Sequence, residues 1–357
     1  PCQQSALGLA LGAYAAPLAA VGLAGHTRTV RRSHSGFIGL GVVLLVAAGM
    51  GTLGIVGSWT SDSADSTAVM LALPQDYRPD LFVVNNARSV YGDRFGGVDD
   101  LVTLLGQSER PFYRSADTTD LGAPDGLVAA DSVVLIKVNA QWNERGGTNT
   151  DVLSGLIRVL VEHPDGFVGE VVVADNGQGY GSFTRPFNNA VDPSRSVRRV
   201  VDHFAGEGWD VSLFLWDNLR LISVDEYENG DVRSGYVVAP DLDPQTNIRV
   251  SYPKFVTQSG TRISYKHGVW SPAGYDAERL VVINLPVLKT HSIYGVTGAV
   301  KNHMGVVTQS LATDSHLGVG RGGLGSLLSQ VRRPNLTVLD CIWVLAIPGA
   351  GPSASYG

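Results

Sequence analysis

The sequence predicts an α/β domain, a mostly parallel sheet covered by helices with a β-rich insertion, preceded by an N-terminal transmembrane helical hairpin. Three observations carry this expectation. From about residue 68, short β-branched runs alternate with amphipathic stretches. Several of those runs, such as VVLIKV and VVVA, are continuously apolar, the pattern of strands buried on both faces of a parallel sheet. The first 60 residues, by contrast, hold no Asp or Glu and only Arg28, Arg31 and Arg32 as charges.

The N-terminal element divides in two. Residues 5–25 run 21 positions without a charge, and residues 37–59 run 23. Each exceeds the ~20 residues a helix needs to cross the hydrocarbon core. All three early arginines fall in the loop HTRTVRRSHS between them, so the positive-inside bias places that loop in the cytoplasm and both hairpin ends outside. Trp59 and the Ser/Asp-rich SDSADS fit an interfacial anchor and a polar linker over 61–68. Gly8 and Gly12, four apart, suit close helix approach, either within the hairpin or against other membrane protein subunits. A second account treats Arg31-Arg32 and the apolar run after it as a cleaved twin-arginine export signal. Both accounts export the domain over 69–357.

Within that domain the candidate strands are 81–85, 132–139, 170–175, 210–216, 279–286 and 336–343. The candidate helices are 98–106, 150–163 and 194–207, the last with Asp192-Pro193-Ser194 as its start signal. Residues 218–278 are turn-rich and weakly alternating, and read as a β-rich insertion.

Charge excludes some partners. Beyond residue 60, 24 basic residues face 33 acidic ones, a formal charge of −9, which repels nucleic acid. The lipid bilayer is the expected partner, reached through the hairpin. Two cysteines, Cys2 and Cys341, cannot build a four-thiolate cluster, and Cys341 lies in an apolar run that suits an inert thiol.

Lysine usage directs attention to the strand ends. The chain holds 22 Arg and only five Lys, at 137, 254, 266, 289 and 301. Lys137 and Asn139 close the strand VVLIKVN. INLPVLKTH delivers Asn284, Lys289 and His291, and KNHMG adds Lys301, Asn302 and His303. Ligands of parallel sheets bind at the carboxyl ends of the strands. A cluster of ammonium groups and amides there suits a carboxylate or phosphate, with either histidine available for proton transfer. Asp175 and Asn176 precede a Gly-rich loop (Gly177, Gly179, Gly181) that lacks the dinucleotide fingerprint but can form an anion-binding nest, as can GAGPS at 349–353. Asp175, Asp340, His291 and His303 form a mixed donor set of the kind that takes a divalent metal, although no spacing fixes four ligands. His163, His203 and His267 read as packing or surface residues.

At VLIKVN (134–139), VVVADN (171–176), INLPVLKTHSIYGVTGAVKNHMG (283–305), LDCIW and GAGPS, the chain resembles the family catalogued as domain of unknown function 362, over roughly 69–353. The resemblance implies an α/β protein, often exported. Some members carry a four-cysteine ferredoxin-like segment, which has no counterpart here, so no iron–sulfur cluster is expected. The family also implies sequence continuing past the GAGPS loop. No nucleophile elbow, zinc-protease helix or P-loop gives a reaction class. The leading expectation is an extracytoplasmic domain that binds a small anion; the alternative is a non-catalytic accessory or scaffold subunit of a membrane complex.

Overall fold

The computed structural model describes residues 81–345 apart from 88–89, 142–145, 186–189, 292–293 and 313–321, together with the strand pieces Thr29–Val30 and Ala68–Leu71. The two apolar segments (5–25 and 37–59) and GAGPS (349–353) lie outside the described residues. Among the described residues no helix is long and apolar enough to cross a membrane.

The centre is a five-stranded, all-parallel sheet. Its members in chain order are β1 (Val133–Lys137), β2 (Glu170–Asp175), β3 (Val211–Leu215), β9 (Leu280–Asn284) and β12 (Leu336–Thr337). They lie side by side in the order β3-β2-β1-β9-β12. The chain therefore builds outward from β1 in one direction, then crosses to the other side of β1 to lay down β9. Asn284 is the register partner of Lys137, so the two last residues of β1 and β9 stand together where the order reverses.

Why these runs became strands is visible in their burial. Every residue of β1, β2 and β9 is buried. Val134, Ile136, Val171, Val173, Val281 and Ile283 face one side, where they meet helices α2 (Thr150–Val161) and α3 (Val197–Gly206). Leu156 and Phe204 from those helices are fully buried there; truncating a side chain such as Leu156 to Ala costs about 2–5 kcal/mol. A third helix, α1 (Gly96–Gln107), packs against α2. Helix α2 starts where the Asn149 side chain accepts from the amides of Asp151 and Val152, satisfying orphan donors of the first turn. In α3 the cap is Ser196, which accepts from Arg199 N; the expected start at Asp192–Ser194 is instead a separate turn, closed by Ser194 N donating to Asp192.

The opposite face carries Val133, Leu135, Val172, Ala174, Leu280 and Val282, and here the covering layer is β-structure. The insertion forms a five-stranded antiparallel sheet of β4 (Gly235–Val238), β5 (Ser251–Val256), β6 (Arg262–Ser264), β7 (Gly268–Ser271) and β8 (Gly274–Asp276). Tyr236, Phe255, Ile263 and Tyr265 from this lobe, with Trp216, pack on the central sheet. The expected helical cover is thus found on one face only. A fourth helix, α4 (Gly323–Gln330), contributes Leu327 to this second core.

Two strand expectations need correction. The segment 81–85 is a strand over Leu81–Val84, but it pairs antiparallel with Ala68–Leu71, outside the central sheet. The run 336–343 is not one strand. Leu336–Thr337 finishes the central sheet, then Asp340 N donates to Pro286 O, and β13 (Asp340–Leu345) pairs in parallel with β10 (Val287–His291). Strand β10 pairs on its other side with β11 (Gly295–Thr297). Thr29–Val30, from the basic loop, pairs antiparallel with Ala68 and Val69.

Candidate functional site

Strand order reverses between β1 and β9 at the sheet's carboxyl edge, the place where open α/β sheets take their ligands. The turn Lys301–Gly305 folds over that edge. Three hydrogen bonds fix that turn. Asn176 N donates to Gly305 O at 3.0 Å, Asn302 Nδ2 donates to Lys137 O at 3.3 Å, and Asn302 Nδ2 also reaches Asn284 Oδ1 at 2.8 Å. Gly305 permits the approach: a Cβ there would stand 1.9 Å from Asp175 Oδ1 and 2.6 Å from Lys137 Nζ. Only a residue without a side chain fits.

Beneath the turn lies a buried ion pair. Lys137 Nζ is 2.7 Å from Asp175 Oδ1, and both side chains are almost wholly enclosed. Lys137 Nζ also donates to Val138 O at 2.7 Å, and Asp175 Oδ2 accepts from Ala140 N at 2.8 Å. The Asp175 Oδ1 contact satisfies charge more than hydrogen-bond alignment. Burial lowers the lysine's pKa, opposed by the neighbouring carboxylate. Lys137 and Asp175 are therefore committed to each other and brace the ends of β1 and β2.

The amide residues act likewise. Asn284 Nδ2 donates to Ala299 O at 2.9 Å. Asn176 Nδ2 donates to Val307 O and to Tyr236 Oη, and its Oδ1 accepts from Gln178 N at 2.9 Å. Asn139 is half-buried, its Oδ1 accepting from Gln141 N at 3.3 Å. Of the seven expected ligand-binding residues, Lys137, Asn176, Asn284 and Asn302 are thus spent largely on holding the strand ends together.

Lys289, Lys301 and His303 are disposed differently. Lys289 is buried on β10 and donates to Gly146 O at 2.6 Å. Burial, then the Lys301 and Lys137 charges, drive its pKa well below the usual lysine value, against the pull of Asp175. Lys301 is half-buried, its Nζ 5.8 Å from the Tyr294 ring centre, and burial pushes it down to about 8. His303 is 1% exposed; Nδ1 lies 3.2 Å from Ala299 O and 3.3 Å from Val300 O. Burial and the Lys137 charge lower its pKa to about 4, so the ring is neutral. Its Nε2 is buried and has no hydrogen-bond partner among the described residues. His291 is half-buried at the end of β10, with Nδ1 accepting from Tyr294 N at 3.3 Å.

The expected metal set does not assemble. Among the described residues, no three of Asp175, Asp340, His291 and His303 bring ligand atoms within 4.8 Å of one another. Asp175 is taken by Lys137 and Ala140 N, and Asp340 Oδ1 accepts from Ile342 N at 2.9 Å. The residues present do not fit a divalent ion. The group that does cluster, Asp93, His203 and Glu207, is bridged by Arg158, whose guanidinium occupies the cation's place. His163 is a packing residue, Nε2 against Val128 O at 3.0 Å, and His267 lies 3.8 Å from Glu226. Cys341 is half-buried, its thiol pushed up to about 12 by burial and by Asp340, which suits an inert role.

The Gly-rich loop does form an anion nest, and the protein fills it. Gly179 N and Gly181 N donate to the two carboxylate oxygens of Asp217 at 2.8 and 2.9 Å. At its centre Gln178 adopts φ 54, ψ 41, a left-handed conformation unusual for a residue with a Cβ. The Gln178 side chain links Gln141 to Gln309, each at 3.3 Å, so three loops meet above the strand ends. Sequence reasoning missed Gly305, Asp217 and this glutamine chain. Only Gly305 left a trace, as the glycine closing KNHMG.

These features define an open α/β sheet with its candidate site at the switch point of strand order, roofed by the Lys301–Gly305 turn. Residues 195–355 match the model of the family described as domain of unknown function (DUF362), and the chain carries a domain of that family. The match takes in β9, β10 and the roofing turn, while β1 and β2 precede it. No curated protein and no solved structure matches the chain.

Proposed function

We propose that this is a membrane-anchored protein whose extracytoplasmic α/β domain binds a small anion at the carboxyl ends of β1 and β9. The observation that carries the binding reading is the buried, neutral His303 beside Lys137 at the switch point, its Nε2 unpartnered among the described residues. Buried polar atoms are nearly always satisfied, so such an atom beside an ammonium group marks a place for a ligand. Lys301 supplies the attracting charge, and the Lys137–Asp175 pair holds the strand ends in register.

The test is titration of the full chain with phosphate and with glycolate at constant ionic strength. Lys301→Ala is expected to weaken binding about 10–100-fold, the worth of one charge-assisted hydrogen bond. Absence of binding, or binding indifferent to Lys301→Ala, overturns the reading; co-purification of a stable protein partner by a chain that binds neither anion favours the scaffold alternative.

The anchor rests on the two charge-free segments and the arginines between them. The pairing of Thr29–Val30 with Ala68–Val69 stands against it, because a two-span hairpin would hold those strands on opposite sides of the bilayer. Ser33→Cys and Ser66→Cys, each in a chain whose Cys2 and Cys341 are changed to serine, labelled from outside intact cells, separate the two arrangements. Labelling of Ser66→Cys alone is the expected result, and labelling of both sinks the two-span topology.

A further inference from the structure

The tautomer of His303 limits which anions the strand ends can hold. A carbonyl oxygen only accepts, so the Nδ1 that lies against Ala299 O and Val300 O carries the ring's proton. The other nitrogen, Nε2, is then a lone pair. It is buried and meets no donor from the described protein, and leaving such an acceptor empty costs about 1–3 kcal/mol. A cation lies beside it: the Lys137 charge acts on the ring, and a Cβ on Gly305 of the same turn would stand 2.6 Å from Lys137 Nζ.

An anion drawn in by the lysines therefore meets an acceptor as well as donors. A fully deprotonated oxyanion presents only lone pairs, and lone pair against lone pair is repulsive in a site shielded from water. An oxyanion that keeps one O–H satisfies both, its negative oxygens toward the ammonium groups and its hydroxyl donating to Nε2. We infer that the ligand is a hydroxyl-bearing oxyanion, hydrogenphosphate or a small hydroxycarboxylate, selected against sulfate and plain carboxylates by His303 Nε2. This rests on the anion-binding reading above and adds its specificity.

Matched pairs test it. Phosphate against sulfate, and glycolate against acetate, are titrated into the full chain at pH 7 and constant ionic strength, in buffers passed over chelating resin so that no divalent metal can occupy Nε2. The expected result is at least tenfold tighter binding of the hydroxyl-bearing member of each pair. A preference in one pair only identifies whether a phosphate or a carboxylate is the favoured source of that chemistry. His303→Leu is expected to reduce the preference to under threefold, with sulfate bound no more weakly than by wild type. Because that variant can fail to fold, the ring nitrogens of wild-type protein labelled with 15N-histidine provide a second readout: the Nε2 resonance of His303 shifts with phosphate and stays in place with sulfate. Equal binding within both pairs, a preference that survives His303→Leu, or an Nε2 resonance unmoved by phosphate overturns the assignment while leaving anion binding standing. No binding of any of the four overturns the anion reading itself.

Discussion

The domain buries two clusters of charge, one in the β lobe and one at the strand ends, and they are finished differently. In the lobe, Glu226 Oε1 accepts from Tyr252 Oη at 2.8 Å and Ser264 Oγ at 2.9 Å, and Oε2 accepts from Tyr275 Oη at 2.6 Å. Lys254, fully buried, donates to Asp231 O and lies 4.1 Å over the Tyr227 ring. Both charges there have partners. At the strand ends the Lys137–Asp175 pair is also closed, but the turn above it leaves His303 Nε2 bare and holds lysines whose charge burial disfavours. A polar network with every member satisfied fixes a packing arrangement, whereas an unpartnered atom beside a cation at a switch point is a candidate site. The lobe network is thus read as structure and the strand-end network as structure below and function above.

The sharpest way to break that division is to cut the lower layer. Lys137→Met leaves Asp175 charged and enclosed, and removing one partner of a buried pair costs about 3–5 kcal/mol. Denaturant unfolding should show that loss, and Lys137→Met/Asp175→Asn should recover more than half of it, since the asparagine keeps an acceptor for Ala140 N and carries no charge. A loss below 1 kcal/mol in the single variant would mean that the pair does not brace β1 and β2. A smaller effect is expected in the lobe. Glu226→Gln exchanges one accepting oxygen for a donor facing hydroxyls, a change of about 1–3 kcal/mol in unfolding free energy, with phosphate affinity held within twofold. A larger change in affinity would tie the lobe to the site and dissolve the comparison.

How much of this could be read from the sequence follows the range of the interactions. The continuous apolar runs VVLIKV, EVVVAD and LVVIN are local facts, and all three became buried parallel strands. The scarcity of lysine pointed to Lys137, Lys289 and Lys301, which do converge. Their roles were not legible, because Lys137 is committed by Asp175, 38 positions away in sequence, and the Gly179 and Gly181 amides by Asp217, 38 and 36 away. No spacing rule encodes such pairings. Lys254 passed unnoticed for the same reason: its burial depends on the pairing of β5 with β4 and on the Tyr227 ring. The break in 336–343 was equally invisible, since it depends on the long-range bond from Asp340 N to Pro286 O.

The smallest effect, and the one most specific to the upper layer, comes from Lys301. Burial holds its pKa at about 8, against 10.5 for an ordinary lysine. The unfolded chain therefore binds more protons than the folded one between those values, and stability of the ligand-free protein rises with pH across that window. Glycolate binding should move the other way. Its carboxylate does not titrate there, but the Lys301 ammonium that attracts it is lost as pH rises through about 8. His303, lowered to about 4, is neutral throughout the window. Burial also lowers Lys289, and because that residue is common to wild type and Lys301→Arg, the difference between the two reports Lys301. Unfolding and titration series from pH 7 to 9.5 should thus give opposite slopes in wild type. Lys301→Arg, charged at every pH in the range, should flatten both. Parallel slopes, or a glycolate affinity flat from pH 7 to 9.5, would remove Lys301 from the ligand's surroundings and leave only the closed lower layer.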